Sequence, residues 1–244
     1  MRILHINFSD AGGAGNASKR THLALLKAGV DSKMLVAQKL TNTEEVYQLR
    51  YTVIRKLWRF IQLKVEKWLK RRVEPLDKSL RSANFLHGFI LREIESFEPN
   101  VVHLHWVNAG MISPTEVQKI KAQVVWTLHD LWPVNGSCHY ASSLMTSTMA
   151  LQYTTSFEDI DSSEYSQSIG KRYREAIIDK PNGIITLCRN FENIVAEASW
   201  LPHQAAARIP NCLDHKVFYP VESKQTLRER LKLPEDKVLL LFCA

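Results

Sequence analysis

The residues best equipped for chemistry sit at the ends of short apolar runs. "VVWTLHD" closes on His129 and Asp130, and "VVHLHWVN" closes on His105, Trp106 and Asn108. An imidazole titrates near neutrality, so His129 could accept a proton, donate a hydrogen bond to a hydroxyl or steady a developing negative charge. It could equally cap the loop that follows it. Trp106 and Trp132 offer flat apolar faces on which rings can stack, and loop packing would use them as well. Earlier, "NFSDAGGAGNASKR" crowds Gly12, Gly13 and Gly15 between an apolar run and a helical-looking stretch. Glycines there let the backbone approach a phosphate, and a helix N-terminus behind them adds unpaired N–H groups. A turn that is glycine-rich for steric reasons alone is the alternative.

Several phosphate chemistries are excluded. The dinucleotide fingerprint fails at its last glycine, since "GAGNAS" ends in Ser18, and the second apolar run finishes at Gln38 and Lys39 where a ribose-binding acid would stand. A phosphate loop of the ATPase kind fails too, because no Gly-Lys-Ser/Thr follows. Asp159 and Asp161 form a D-x-D, but in a Ser/Thr-rich run after no strand, where solvated loop acids are the expected reading. Cys138, Cys188, Cys212 and Cys243 have no metal-ligand spacing and suit reduced thiols. No metal site and no cofactor is read from these patterns.

The elements that must position these residues follow a rhythm. "RILHINF" reads as a buried strand, Ala17 to Ala28 as a helix ended by Gly29, and "SKMLVAQ" as a second strand. A helical pattern over Leu80 to Phe97 is stopped by Pro99. Strands at 101–107, 124–130 and 183–188 then alternate with helices near Pro114, over 170–179 and over 190–199. Near-continuous apolar strands separated by helices predict an α/β fold, a Rossmann-like parallel sheet with helices on both faces. Ligands in such a sheet bind at the carboxyl ends of the strands, which is where the candidate residues fall. Residues 141–168 break the rhythm as a long excursion. "KVLLLFCA" reads as a strand of another unit, so the expected organisation is a domain over 1–215, then a linker and first strand over 216–244.

The net charge of +7 is a local feature. Residues 55–72, "RKLWRFIQLKVEKWLKRR", hold eight basic residues and one acid, and the remainder balances. On a helix, Leu57, Trp58, Ile61, Val65, Trp68 and Leu69 share one arc, and Arg55, Arg59, Glu66, Lys67 and Lys70 lie opposite. Such a helix suits an anionic membrane interface, with Trp58, Trp68, Arg71 and Arg72 as contacts, or an ordinary surface position with its apolar face packed inward. Nucleic acid is not an expected partner, since no second basic patch or recognised motif accompanies it. No apolar run reaches the ~20 residues of a membrane span, and the N-terminus does not read as a secretory signal. The expected location is the cytoplasm, with peripheral attachment to the inner face of the plasma membrane.

Five segments, "AGGAGNASKRTHLALLKAGVDSKMLV", "VVHLHWVNAGMIS", "VVWTLHDLWPVNGSCHY", "GIITLCRNFEN" and "RIPNCLDHKVFYP", together resemble the N-terminal half of the GT-B-fold family 4 glycosyltransferases. The resemblance is strongest to bacterial enzymes of exopolysaccharide, capsule and O-antigen synthesis. It implies that Gly12 and Gly13 lie beside the diphosphate of a nucleotide-sugar donor and that His129 is catalytic, in a cleft near the reacting sugar. His105, Trp106, Asn108 and Asp130 would face a saccharide or lipid-linked saccharide acceptor. Transfer would retain anomeric configuration without an essential metal. Two positions depart from the family: Cys138 lacks the further cysteines that often follow "CHY", and Cys212 stands where glycine is usual. The family's paired donor-binding glutamates would lie beyond Ala244. The alternative expectation is a non-catalytic carbohydrate- or lipid-binding module.

Overall fold

The computed structural model describes every residue except 44, 51, 74–81, 83, 85, 136–138, 140–174, 176, 178, 198–205, 221–222 and 241–244, and for 69–73, 135 and 197 the backbone alone. The excursion at 141–168, Asp159, Asp161, Cys138, Cys243 and most of the expected helix at 170–179 lie outside the described residues. Two compact units divide the chain, Met1–Asn211 and Cys212–Ala244.

The first unit is a Rossmann-like α/β domain built on a seven-stranded parallel sheet. Its strands are β1 (Arg2–Ser9), β2 (Asp31–Gln38), β3 (Val46–Gln48), β4 (Val101–Leu104), β5 (Gln123–Leu128), β6 (Gly183–Thr186) and β7 (Ala206–Arg208). Their order is β3-β2-β1-β4-β5-β6-β7. The chain therefore winds outward from β1 to β3, then returns to β1's other side with β4. Between β1 and β4 lies the switch point where such sheets open a crevice for ligands. The apolar runs predicted β1, β2, β4, β5 and β6; β3 and β7, three residues each, carried too little pattern to be read.

Helix α1 (Gly12–Lys27) begins earlier than Ala17. The glycines form its first turn, entered through Gly12 at φ +76°. Packing explains why: a Cβ on Gly15 would stand 2.5 Å from the Ser9 carbonyl oxygen, so glycine alone lets this turn sit directly on the end of β1. Ala11 at the N-cap has no side-chain oxygen, which leaves the first-turn N–H groups to other partners.

Period-two alternation gives the central strands two unlike faces. Leu4 and Ile6 of β1, Val102 and Leu104 of β4, and Val124, Trp126 and Leu128 of β5 join one large apolar cluster. The opposite positions are His5 and Asn7, His103, Val125 and Thr127. A buried polar row thus occupies a face where aliphatic side chains are the norm.

The expected helix from Leu80 to Phe97 is replaced, over its described part, by a loop at 86–90 and the short α3 (Leu91–Ser96). Long-range contacts override the local helical pattern. A Cβ on Gly88 would fall inside the Met111 carbonyl, so this backbone runs flush against another segment. Its polar groups are met from elsewhere. Glu116 of α4 (Pro114–Gln118) accepts from the N–H groups of Gly88 and Phe89, each at 2.8 Å, and completes a capping box with Ser113. Gln62 and Trp58 of α2 (Val53–Val73) donate to the His87 carbonyl at 2.7 and 2.8 Å. Two short helices, α5 (Trp132–Asn135) and α6 (Arg189–Glu197), follow β5 and β6.

Helix α2 packs through a mixed face of Arg55, Trp58, Arg59, Gln62, Val65 and Glu66. Gln62 is buried, Arg55 pairs with Glu93, and the Arg59 guanidinium stands 5.0 Å over the Phe8 ring. Leu57, Phe60 and Ile61 remain exposed, at 61%, 58% and 41%. Of the expected apolar arc, Trp58 and Val65 are half-buried, and Leu57, Ile61 and Trp68 are exposed. The loop beneath α2 presents unpaired backbone groups, and only polar side chains satisfy them. Trp58 turns to that loop as well, its ring edge-on to Phe89 at 5.8 Å, while Trp68 is 53% exposed. The side chains of Arg71 and Arg72 lie outside the described set. Among the described residues, no helix is long and apolar enough to cross a membrane.

In the second unit, α7 (Lys224–Arg230) is capped by Ser223, whose hydroxyl accepts from the Thr226 N–H. The expected strand over 237–244 is not formed at 237–240, and 241–244 lie outside the described residues. A strand needs a neighbour's ladder, and the described residues of this unit provide none.

Candidate functional site

The carboxyl ends of β1, β4 and β5 are tied together by side chains. Asn7 Oδ1 accepts from the Trp106 N–H at 2.8 Å, and the Phe8 N–H donates to the Trp106 carbonyl at 2.8 Å. Trp106 meets Phe8 edge-on at 5.7 Å and donates its indole N–H to Asp130 Oδ2 at 2.8 Å. Asp130 is a hub: Oδ2 also bonds His139 Nδ1 at 2.6 Å, and Oδ1 accepts from the Trp132 N–H at 3.0 Å. Asp10, fully buried, accepts from Leu40 and Thr41 and so holds the loop after β2. Burial pushes its carboxyl pKa up, but these hydrogen bonds pull it further down, so it remains ionised.

A cavity of about 620 Å³ opens at this edge. Its wall includes Ser9, Gly13, Arg20, Trp106, His129 and Asn211. The start of α1 forms one side, presenting first-turn N–H groups and the positive end of the helix dipole. Arg20 adds a full positive charge, its Nε donating to the Asn16 carbonyl at 3.2 Å. Opposite stands His129, whose Nε2 lies 3.1 Å from His105 Nδ1. Burial pushes the His129 pKa down to about 4, with Asp130 acting weakly the other way. His129 is therefore neutral at pH 7, and Nδ1 is the nitrogen left for a ligand. Such a wall can hold an anion at one end and a hydroxylated group against an imidazole and an indole at the other.

Of the residues singled out in the sequence, the cavity brings together Gly13, Trp106, His129 and Asp130. Gly12 is not in its wall. His105 is buried beneath His129, and Asn108 is buried with Oδ1 unbonded, so neither faces an incoming molecule. Arg20 was missed, although it stands seven residues after Gly13, on the same side of a helix. His5 and His103 were missed too. His5 Nδ1 lies 3.1 Å from His105 Nε2, which extends the imidazole contacts from His129 into the sheet. The spacing H-x-H at 103–105 was their available signal, since alternate residues of a strand share a face.

Fold and site thus define a Rossmann-like α/β domain with a cavity at its topological switch point. No family model matches the chain. No curated protein matches it either. Among solved structures it is similar, at 11% identity and a TM-score of 0.36, to a ugt transferase from Siraitia grosvenorii crystallised in complex with UDP. That similarity covers 94% of this chain and 52% of the other, so the chain spans about half of that protein's length.

Proposed function

We propose that residues 1–215 form the acceptor-side half of a retaining glycosyltransferase of the GT-B, family 4 kind, and that 216–244 lead into its donor-binding half. The observation that carries this reading is the switch-point cavity, whose wall holds the start of α1, Arg20, Trp106 and His129 together. In this reading Gly13 and the first-turn N–H groups bind the donor's diphosphate, and Arg20 neutralises the charge that grows on it as the glycosidic bond breaks. His129, neutral, hydrogen-bonds the reacting sugar through Nδ1. Trp106 supplies a face for an acceptor ring. Asp130 holds Trp106, and His105 holds His129, through hydrogen bonds. The substrates are a nucleotide sugar and a saccharide on a growing, lipid-linked bacterial polysaccharide, and the enzyme works in the cytoplasm.

The test is turnover by the whole protein that contains this chain, with a panel of nucleotide sugars and a lipid-linked saccharide extract. Release of nucleoside diphosphate that depends on the extract supports transfer. Binding of saccharide or lipid without release supports the non-catalytic module. Neither binding nor release removes both readings.

A second part of the proposal places α2 on an anionic membrane. It rests on the outward apolar stripe of Leu57, Phe60 and Ile61 in a helix carrying most of the chain's excess positive charge. The double variant Leu57→Ser/Ile61→Ser is expected to keep its thermal midpoint, because both side chains are exposed. It is expected to lose at least tenfold in flotation with vesicles containing anionic lipid. Undiminished flotation counts against this placement.

A further inference from the structure

We propose that His5, His103 and His105 form a buried structural site for a divalent transition-metal ion of the Zn²⁺ type. This does not rest on the glycosyltransferase reading. Parallel pairing sets His5 directly beside His103 on the adjacent strand, and His105 follows two residues on, at the same face. Each of the three is at most 8% exposed, and one ring nitrogen from each falls within 4.8 Å of the others.

In His103 and His105 the ring nitrogens are divided as metal-bound imidazoles divide them, while His5 Nε2 has no hydrogen bond. A ligating histidine uses one nitrogen for the ion and bonds the other to an outer partner that fixes its tautomer and orientation. His103 Nε2 lies 2.7 Å from Thr127 Oγ1, and His105 Nδ1 lies 3.1 Å from His129 Nε2. This leaves His103 Nδ1 and His105 Nε2 for an ion. The separation of His5 Nδ1 from His105 Nε2, 3.1 Å, is close to the ~3.3 Å expected for two nitrogens on a tetrahedral ion with bonds of about 2.0–2.1 Å. His22 of α1 repeats the division. Its Nδ1 is held by Ser32 Oγ at 2.7 Å, its Nε2 is buried without a partner, and its ring centroid is 5.8 Å from that of His5. It stands beside the three-histidine cluster without being part of it.

An empty cluster leaves unmet chemistry in the core. His5 Nδ1 and His105 Nε2 meet each other at 3.1 Å, and His22 Nε2 is buried with no hydrogen bond. Aliphatic side chains at the strand positions would carry no such nitrogens, and a metal ion would use the lone pairs of His5 Nδ1, His103 Nδ1 and His105 Nε2. Because all three imidazoles are buried, the ion enters as the chain folds.

The experiment unfolds the 244-residue chain in guanidinium with a chelator and refolds it with Zn²⁺ or with EDTA. Metal content is then measured after gel filtration, and thermal midpoints are compared. The expected result is about one Zn²⁺ per chain, retained against EDTA in the native state, with a higher midpoint than the metal-free form. Refolding with Co²⁺ should give the visible absorption of a tetrahedral site. A folded chain holding less than ~0.1 equivalent, with the same midpoint in both preparations, overturns the proposal. His103→Gln should abolish binding. Should it fail to fold, Thr127→Val serves instead, with affinity expected to fall about 10–100-fold through loss of the outer partner. His87→Ala/His215→Ala, exposed and outside the cluster, should retain the ion, and loss of binding in that variant also overturns the site.

Discussion

Replacing His129 by alanine is expected to reduce sugar transfer by the whole protein by about 10²–10⁴-fold while the thermal midpoint stays nearly unchanged. The magnitude follows from position. His129 lines the cavity, stays neutral, and keeps one ring nitrogen for a ligand while His105 orients the other. In the proposed reading, removing it takes away a hydrogen bond at the reacting sugar and leaves the sheet intact. The fold is tolerant here because His129 closes a strand at the cavity edge rather than filling the core. Its neighbour provides the contrast. Asp130→Ala strips partners from Trp106, Trp132 and His139 together and should lower stability as well as activity. Turnover by the His129 variant in the wild-type range, measured as nucleoside-diphosphate release, would remove the catalytic assignment.

The metal-free chain is expected to lose stability steeply as pH falls from about 6.5 toward 4. Burial lowers the pKa of His5, His103, His105 and His129 in the folded state, with His103 and His129 pushed down to about 4. Mutual repulsion among the rings adds to the effect for the first three. In the unfolded chain these groups titrate at the ordinary value of about 6.5. Above that pH both states carry neutral imidazoles, and stability is at its full value. Below it the unfolded state takes up protons that the folded core refuses, and each such histidine costs up to ~1.4 kcal/mol per pH unit. His103 alone accounts for about 3 kcal/mol by pH 4. Against a typical domain stability of about 5–15 kcal/mol, several groups acting together are enough to unfold it. Urea midpoints followed by circular dichroism at pH 7.5, 6, 5 and 4.5 should fall throughout, and His103→Leu should flatten the slope. A midpoint constant to pH 4.5 contradicts this account.

Particular elements show how far the local pattern reached. The apolar runs at 3–8, 33–37, 101–104 and 124–128 revealed buried parallel strands, because a strand covered on both faces has few polar positions. The glycines at 12–15 were legible as special but not as a helical turn, since the reason for Gly15 is a carbonyl at the end of β1. The pattern from Leu80 to Phe97 misled for a similar cause. Glu116 and Gln62, distant in sequence, supply the hydrogen bonds that make a loop at 86–90 preferable to a helix. The apolar stripe of α2 was visible at 100° per residue, yet its direction depended on which partner the helix met.

By itself the sequence determined the α/β rhythm, the placing of His129 and Trp106 at strand ends, and the confinement of the excess charge to one helix. Each follows from a local periodicity or from composition. Only the tertiary structure decided that Arg20 joins Gly13 and His129 around one cavity, that α2 leaves Leu57, Phe60 and Ile61 exposed, and that His5 stands beside His103. Those outcomes depend on pairings across many tens of residues. Local spacing sets which side chains share a face, but the register of β1 against β4 and the packing of α1 on the sheet decide what that face meets.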